Sequence, residues 1–235
     1  MSGWSLDNRR PMLGTWALIT LLVVVHVGTG VLWALQHDAS VVDALLFDRS
    51  ARFRMDVGGQ HRVPLFQGQY WRLLTSVFLH GDALHLGINA GSLYALGRLL
   101  EPTLGTLRWL GWFVVGGTIA SFVCWQVGVV RSDGASGGAF ALLAAGVWLG
   151  WRHAHRWAPE DRRLMGPVLG AFLVANLVLS WVIPGIDAVA HMAGGIVGVG
   201  LAALDPIRSQ ARRPVYAVVL LAAAGTILWA AVSAT

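Results

Sequence analysis

The sequence predicts an all-α polytopic membrane protein, and three observations carry that expectation. With 56% hydrophobic residues, 12% charged residues and a mean hydropathy of +0.62, the 235-residue chain has too little polar surface to coat a soluble globule. Apolar runs near the length of about 20 residues that spans a bilayer recur near 13–35, 84–100, 109–130, 136–151, 164–183, 188–204 and 214–233. The arginines lie in short clusters between these runs, the pattern of a topology signal. A net charge of +5 and a pI of about 10.6 therefore do not argue for nucleic acid, and no nucleic-acid site is expected. All seventeen basic residues are arginine, which suggests a GC-rich genome.

The first span follows Arg9-Arg10-Pro11 and is longer than the apolar core of a cleaved signal, so it reads as a retained signal anchor after a cytoplasmic segment 1–12. Seven alternating spans put eleven arginines on the amino-terminal side and six on the other. Five of those six share the segment 36–72, where Asp38, Asp43, Asp48 and Asp56 largely offset them. The positive-inside rule then places the amino terminus in the cytoplasm and the carboxyl terminus outside, in a multi-pass protein of the cell membrane. Segment 36–72 is too apolar for a tether and is expected to be structured in the outer interface, anchored by Tyr70-Trp71-Arg72 or simply contributing to an aromatic belt. The core is expected to cover 13–205, with a cytoplasmic linker and the seventh helix in 206–235.

Polar side chains inside spans are costly, and each is a functional hypothesis. His85 and Asn89, four apart at the start of span two, share a helix face, where they serve as interhelical glue or as chemistry. His80 cannot share that face and is placed in the preceding loop, with Gly81-Asp82 as the turn. In span six, Gly194 and Gly198 form a small-xxx-small face with His191 one turn before them. Span four supplies matching small residues, Gly134, Ser136, Gly137, Gly138 and Ala141, so docking four against six would bring Ser136 toward His191.

Taken singly, Ser136 can be filler or a back-bonder and His191 a buried histidine satisfied by a carbonyl. Taken together they form a nucleophile and a base, since serine needs its proton removed and neutral imidazole can take it. No acid lies within either span, and capping or solvation suits Asp133 and Asp187, so a dyad is expected. The Ser136 N–H, free in the first helical turn, and the His85 and Asn89 side chains would supply oxyanion donors. Metal ligation competes for the histidines, but no carboxylate or cysteine accompanies them at ligand spacing, so no metal is expected. The single Cys124 excludes an intrachain disulfide.

These residues resemble the pattern of the rhomboid intramembrane serine proteases. The resemblance runs from about Tyr70 to Asp205 through Trp71-Arg72, the series His80, His85 and Asn89, Gly134-x-Ser136-Gly137, and Ala190-His191-x-x-Gly194-x-x-x-Gly198. It implies a six-helix rhomboid bundle plus one C-terminal transmembrane helix. Ser136 would be the nucleophile, His191 the base and then the acid, and His85 and Asn89 the oxyanion side chains. His80, Gly134, Gly137, Phe140, Gly194, Gly198, Trp71 and Arg72 would be supporting residues. The resemblance also implies cleavage of transmembrane segments of single-pass proteins near the outer bilayer face, no cofactor, and span five as a lateral gate. The chain departs from the family in having Phe140 where tyrosine often stacks on the histidine. A non-cleaving relative that binds transmembrane helices is a rival reading, although its usual mark is loss of the serine or histidine. A transporter is a second rival, but it would need charged residues at mid-bilayer.

Overall fold

The computed structural model describes residues 11–47, 49–204 and 213–233. The segment before the first span and the linker after 204 fall largely outside these residues, as does Asp48. Among the described residues, seven long helices stand where apolar runs were expected: α1 (Leu13–His37), then, after the long segment 38–82, α6 (Ala83–Leu104), α7 (Thr106–Gln126), α8 (Ser136–Arg152), α10 (Leu169–Val182), α11 (Ala188–Leu204) and α12 (Arg213–Ser233). Short helices α2 (Val41–Leu46), α3 (Ala51–Asp56), α4 (Arg62–Phe66) and α5 (Arg72–Thr75) fill the segment between α1 and α6, and α9 (Pro159–Arg163) leads into α10.

Among the described residues, only Leu13–His37, Thr106–Gln126 and the continuous helix Pro159–Val182 are long and apolar enough to cross a bilayer on their own composition. Span five therefore begins five residues earlier than its apolar run. A π turn at Leu164–Val168 around Pro167 absorbs the missing backbone donor and joins α9 to α10. The end of span three is also revised. The helix stops at Gln126, and Arg131–Ser132 (β2) instead pairs antiparallel with Gln60–His61 (β1) of the segment between α1 and α6.

α8 is the centre of the bundle, in contact with α6, α7, α10 and α11, and twelve of its seventeen residues are buried. Its many glycines and alanines explain this position. Small residues let neighbouring backbones approach closely where lipid offers no hydrophobic drive to associate. α12 packs on α7, where Tyr216 lies against Gly111 and its hydroxyl accepts from Trp112 Nε1 at 2.9 Å. At the opposite end of the bundle from Ser136, the Glu101 carboxylate accepts from Gly14 N at 2.8 Å, Thr15 N at 2.9 Å, Thr15 Oγ1 at 2.6 Å and Thr106 Oγ1 at 2.7 Å. Met12 offers α1 no side-chain cap, so Glu101 satisfies the free amides of its first turn from another helix.

Segment 36–72 folds into short helices, and Arg72 is not an exposed anchor in it. Its guanidinium is turned inward, 8% exposed, and stacks on Trp71 at 4.5 Å. It donates to Gln69 Oε1 at 2.7 Å, Gly59 O at 3.2 Å and Met55 O. A cation that can gather three acceptors from its own loop serves as the loop's hub, and Tyr70 alone of the three is left exposed. Asp133 ties this loop to the one before α8, accepting from Gln60 N at 3.0 Å and pairing with Arg54 Nε at 3.4 Å. Burial pushes its carboxyl up to about 6 despite the nearby arginine.

Candidate active site

The helices that carry Ser136 and His191 cross in close contact. A Cβ on Gly194 would lie 2.1 Å from Gly137 O, and one on Gly198 would lie 1.9 Å from Ala141 O. The backbones of α8 and α11 therefore touch, and the glycine face seen in the sequence is the contact. One turn before Gly194, the His191 ring stacks on Phe140 with centroids 4.0 Å apart and planes at 12°. Phe140 lies four residues after Ser136, one turn deeper on the same side of α8. The crossing thus brings the histidine to the stretch of helix that carries the serine. Ser136 is half-buried at the first position of α8, and His191 is 8% exposed. Among the described residues no hydrogen bond joins Ser136 Oγ to the imidazole, whose Nδ1 lies 2.6 Å from Ser180 Oγ. Such bonds often tighten only once substrate is bound.

The loop before α6 holds the third group of residues. Asp82 caps α6, its Oδ1 accepting from His85 N at 2.7 Å, and His80 lies before it outside the helix, with Gly81-Asp82 as the turn. The His80 and His85 rings meet edge to face at 4.9 Å. Burial first, and then the charge of His85, push the His80 imidazole down to about 3. A neutral ring can accept, and His80 Nε2 accepts from Ala135 N at 3.4 Å, one residue before the serine. Arg49 holds the same loop by donating to His80 O at 2.6 Å. The His85 ring packs on Gly134, where a Cβ would come within 2.8 Å of both Cε1 and Nε2 and where φ is +122°. Gly134 is thus required twice, by its backbone conformation and by the ring.

Asn89 is 4% exposed, and its Nδ2 donates to His85 O at 2.9 Å, so one of its two amide protons is engaged with its own helix. Trp71 and Arg72 stay in the segment between α1 and α6, with Trp71 edge to face against Trp229 at 6.1 Å. Asp187 caps α11 by accepting from Ala190 N at 2.9 Å and also takes the Cys124 thiol, as its capping assignment anticipated. No group of three or more possible metal ligands occurs among the described residues. The residue that the sequence reading passed over is Ser180. Its signal was available, because Ser180 and Asn176 interrupt the apolar run of span five four residues apart.

Fold and site together define a polytopic helical membrane protein in which serine- and histidine-bearing helices cross in backbone contact at one end of the bundle. A Rhomboid domain model matches residues 67–207, and the chain belongs to the Rhomboid family. Over 175 residues it is 28% identical to Rhomboid protease GluP of Bacillus subtilis (strain 168), an alignment covering 73% of this chain and 34% of that protein. Over 157 residues it is 31% identical to RHOMBOID-like protein 5 of Arabidopsis thaliana, covering 66% of this chain and 50% of that one. Rhomboid-like protease 1 of Toxoplasma gondii is 28% identical over 166 residues, with 66% and 54% covered. The chain thus spans from a third to about half the length of these relatives.

The stacked geometry predicts the outcome at the position that departs from the family pattern. Phe140→Tyr keeps the ring and should retain near-normal activity. Phe140→Ala removes the surface on which His191 lies and should cut turnover roughly tenfold or more, as a loosened catalytic geometry does. Turnover rates of folded variants on a transmembrane substrate check this, and an unimpaired alanine variant would mean that the imidazole is oriented by other groups.

Proposed function

We propose that this protein is an intramembrane serine endopeptidase that cuts transmembrane segments of single-pass membrane proteins near the outer bilayer face, using Ser136 and His191 as a dyad. The observation that carries this reading is the backbone-contact crossing of α8 and α11, with His191 stacked one turn beyond Ser136. Membership of the Rhomboid family and the likeness to proteins named as rhomboid proteases support it.

In the proposed reaction Ser136 Oγ attacks the scissile carbonyl while His191 Nε2 takes its proton. The Ser136 N–H, at the positive end of α8, and the side chains of His85 and Asn89 donate to the developing oxyanion. His191 returns the proton to the leaving amine, and water then cleaves the acyl ester by the same route reversed. Every catalytic group is a side chain or an amide, so the mechanism calls for neither metal nor cofactor.

Hydrolysis needs water in a region that lipid keeps dry, and the helix lengths suggest how it is admitted. Seventeen residues make α8 and α11 roughly 26 Å long, short of the ~30 Å hydrocarbon layer. Their outer ends can thus lie below the interface in a cavity lined by protein. This reading places the amino terminus in the cytoplasm and the carboxyl terminus outside the cell membrane, which tags at the loops 153–158 and 183–187 and their protease accessibility would test.

The deciding experiment reconstitutes the purified protein in liposomes with a model single-pass substrate bearing small residues near its outer end, and maps the products by mass spectrometry. Cleavage within the transmembrane segment is expected, whereas binding without product would favour a non-cleaving helix binder. In the same assay His85→Ala and Asn89→Ala should each lose about 10–1000-fold in turnover, as removal of one oxyanion donor does, with little change in substrate binding. Full activity in both would return the pair to the role of interhelical glue.

A further inference from the structure

We propose that Ser180 is a positioning residue for His191, holding its proton on Nδ1 so that Nε2 faces the serine as the base. The proposal rests on the proteolytic reading above and extends it to a side chain on α10.

The argument is one of proton counting. Ser180 Oγ lies 2.6 Å from Asn176 O and 2.6 Å from His191 Nδ1. A carbonyl oxygen can only accept, so the single hydroxyl proton goes to Asn176 O. Toward the imidazole Ser180 can then only accept, and the proton between them belongs to Nδ1. A neutral imidazole with its proton on Nδ1 has its lone pair on Nε2. The other face of the ring is fixed by Phe140, so orientation and tautomer are set by two different helices, α8 and α10.

The arrangement also survives the reaction. When Nε2 takes the serine proton, Nδ1 keeps its own and the bond to Ser180 persists, so no proton passes along the pair. Ser180 is 4% exposed, and the Nδ1 bond is sheltered from competing water. α10 carries Ser180, so the imidazole is held by a helix other than the two that cross.

An i,i−4 serine bond to its own helix is by itself an ordinary structural feature, so the test must separate the hydroxyl from the side chain's bulk. In the liposome assay Ser180→Ala should lower kcat roughly tenfold or more with KM unchanged, and Ser180→Thr, which keeps the hydroxyl, should recover most of it. With 15N-histidine label, and the His191 signals assigned by their loss in His191→Gln, the wild type should show a protonated Nδ1 and an unprotonated Nε2. Ser180→Ala should lose that bias. Wild-type kcat in Ser180→Ala, equal impairment of the alanine and threonine variants, or a wild-type His191 protonated on Nε2 would each overturn the proposal. A wild type that cleaves nothing would instead defeat the proteolytic reading, while the nitrogen signals would still decide the tautomer.

Discussion

Ser136→Ala is expected to abolish cleavage and leave the fold intact. The residue opens α8, but Ala135 occupies the cap position and makes no side-chain capping bond, so the hydroxyl contributes nothing to starting the helix. Alanine is the better helix former, and loss of a half-buried hydroxyl that has no hydrogen-bond partner among the described residues leaves no buried group unsatisfied. The thermal transition should therefore stay close to that of the wild type. Turnover should fall on the order of 10⁴- to 10⁶-fold, because without a nucleophile only oxyanion stabilisation and binding remain. A fluorophosphonate probe should label the wild type and not the variant. Equal labelling of both would move the nucleophile to another residue.

Gly198→Val should have the second largest effect, acting through the fold. A Cβ at this position would sit 1.9 Å from Ala141 O, a backbone atom that cannot swing aside, so α11 must move away from α8 as a whole. Overpacking of this kind costs about 3 kcal/mol, which lowers the melting temperature of a chain this size by roughly 10 °C. Cleavage should fall with it, because α11 carries His191 away from Phe140. The glycine lies two turns beyond His191 and does not touch the imidazole, so lost activity with an unchanged melting temperature would contradict the crossing described here. Circular dichroism melting in detergent, run beside the cleavage assay, separates the two effects.

Much of the site could be read from the sequence because its determinants are local. Four-residue spacing puts Phe140 one turn beyond Ser136 on any helix, and the same spacing makes Gly194 and Gly198 a docking face. The interval of five keeps His80 off the face of His85, Gly81-Asp82 marks the turn between them, and the structure places His80 in the loop. Segment ends were less legible. The apolar run of span five starts at 164, yet the helix starts at Pro159, because hydropathy marks where lipid is tolerated and hydrogen bonding marks where the helix begins. Likewise 127–130 is apolar but lies beyond the end of α7, which gives way to a turn and to pairing of β2 with β1.

The sequence by itself determined the membrane class, the seven runs, the Rhomboid resemblance and the small-residue face of α11, since composition and helical periodicity act over a few residues. Only the tertiary structure decided which groups meet across helices. Arg72 looks like a headgroup anchor in sequence and is a loop hub in the fold. Glu101 caps a helix that begins 88 residues earlier. Ser180 meets His191 from a neighbouring helix, the contact on which the proposed tautomer rests. Spacing along one helix fixes a side chain's face, but a hydrogen bond between helices also depends on their relative rotation and register. Those are set by packing of the whole bundle, which no short stretch of sequence encodes.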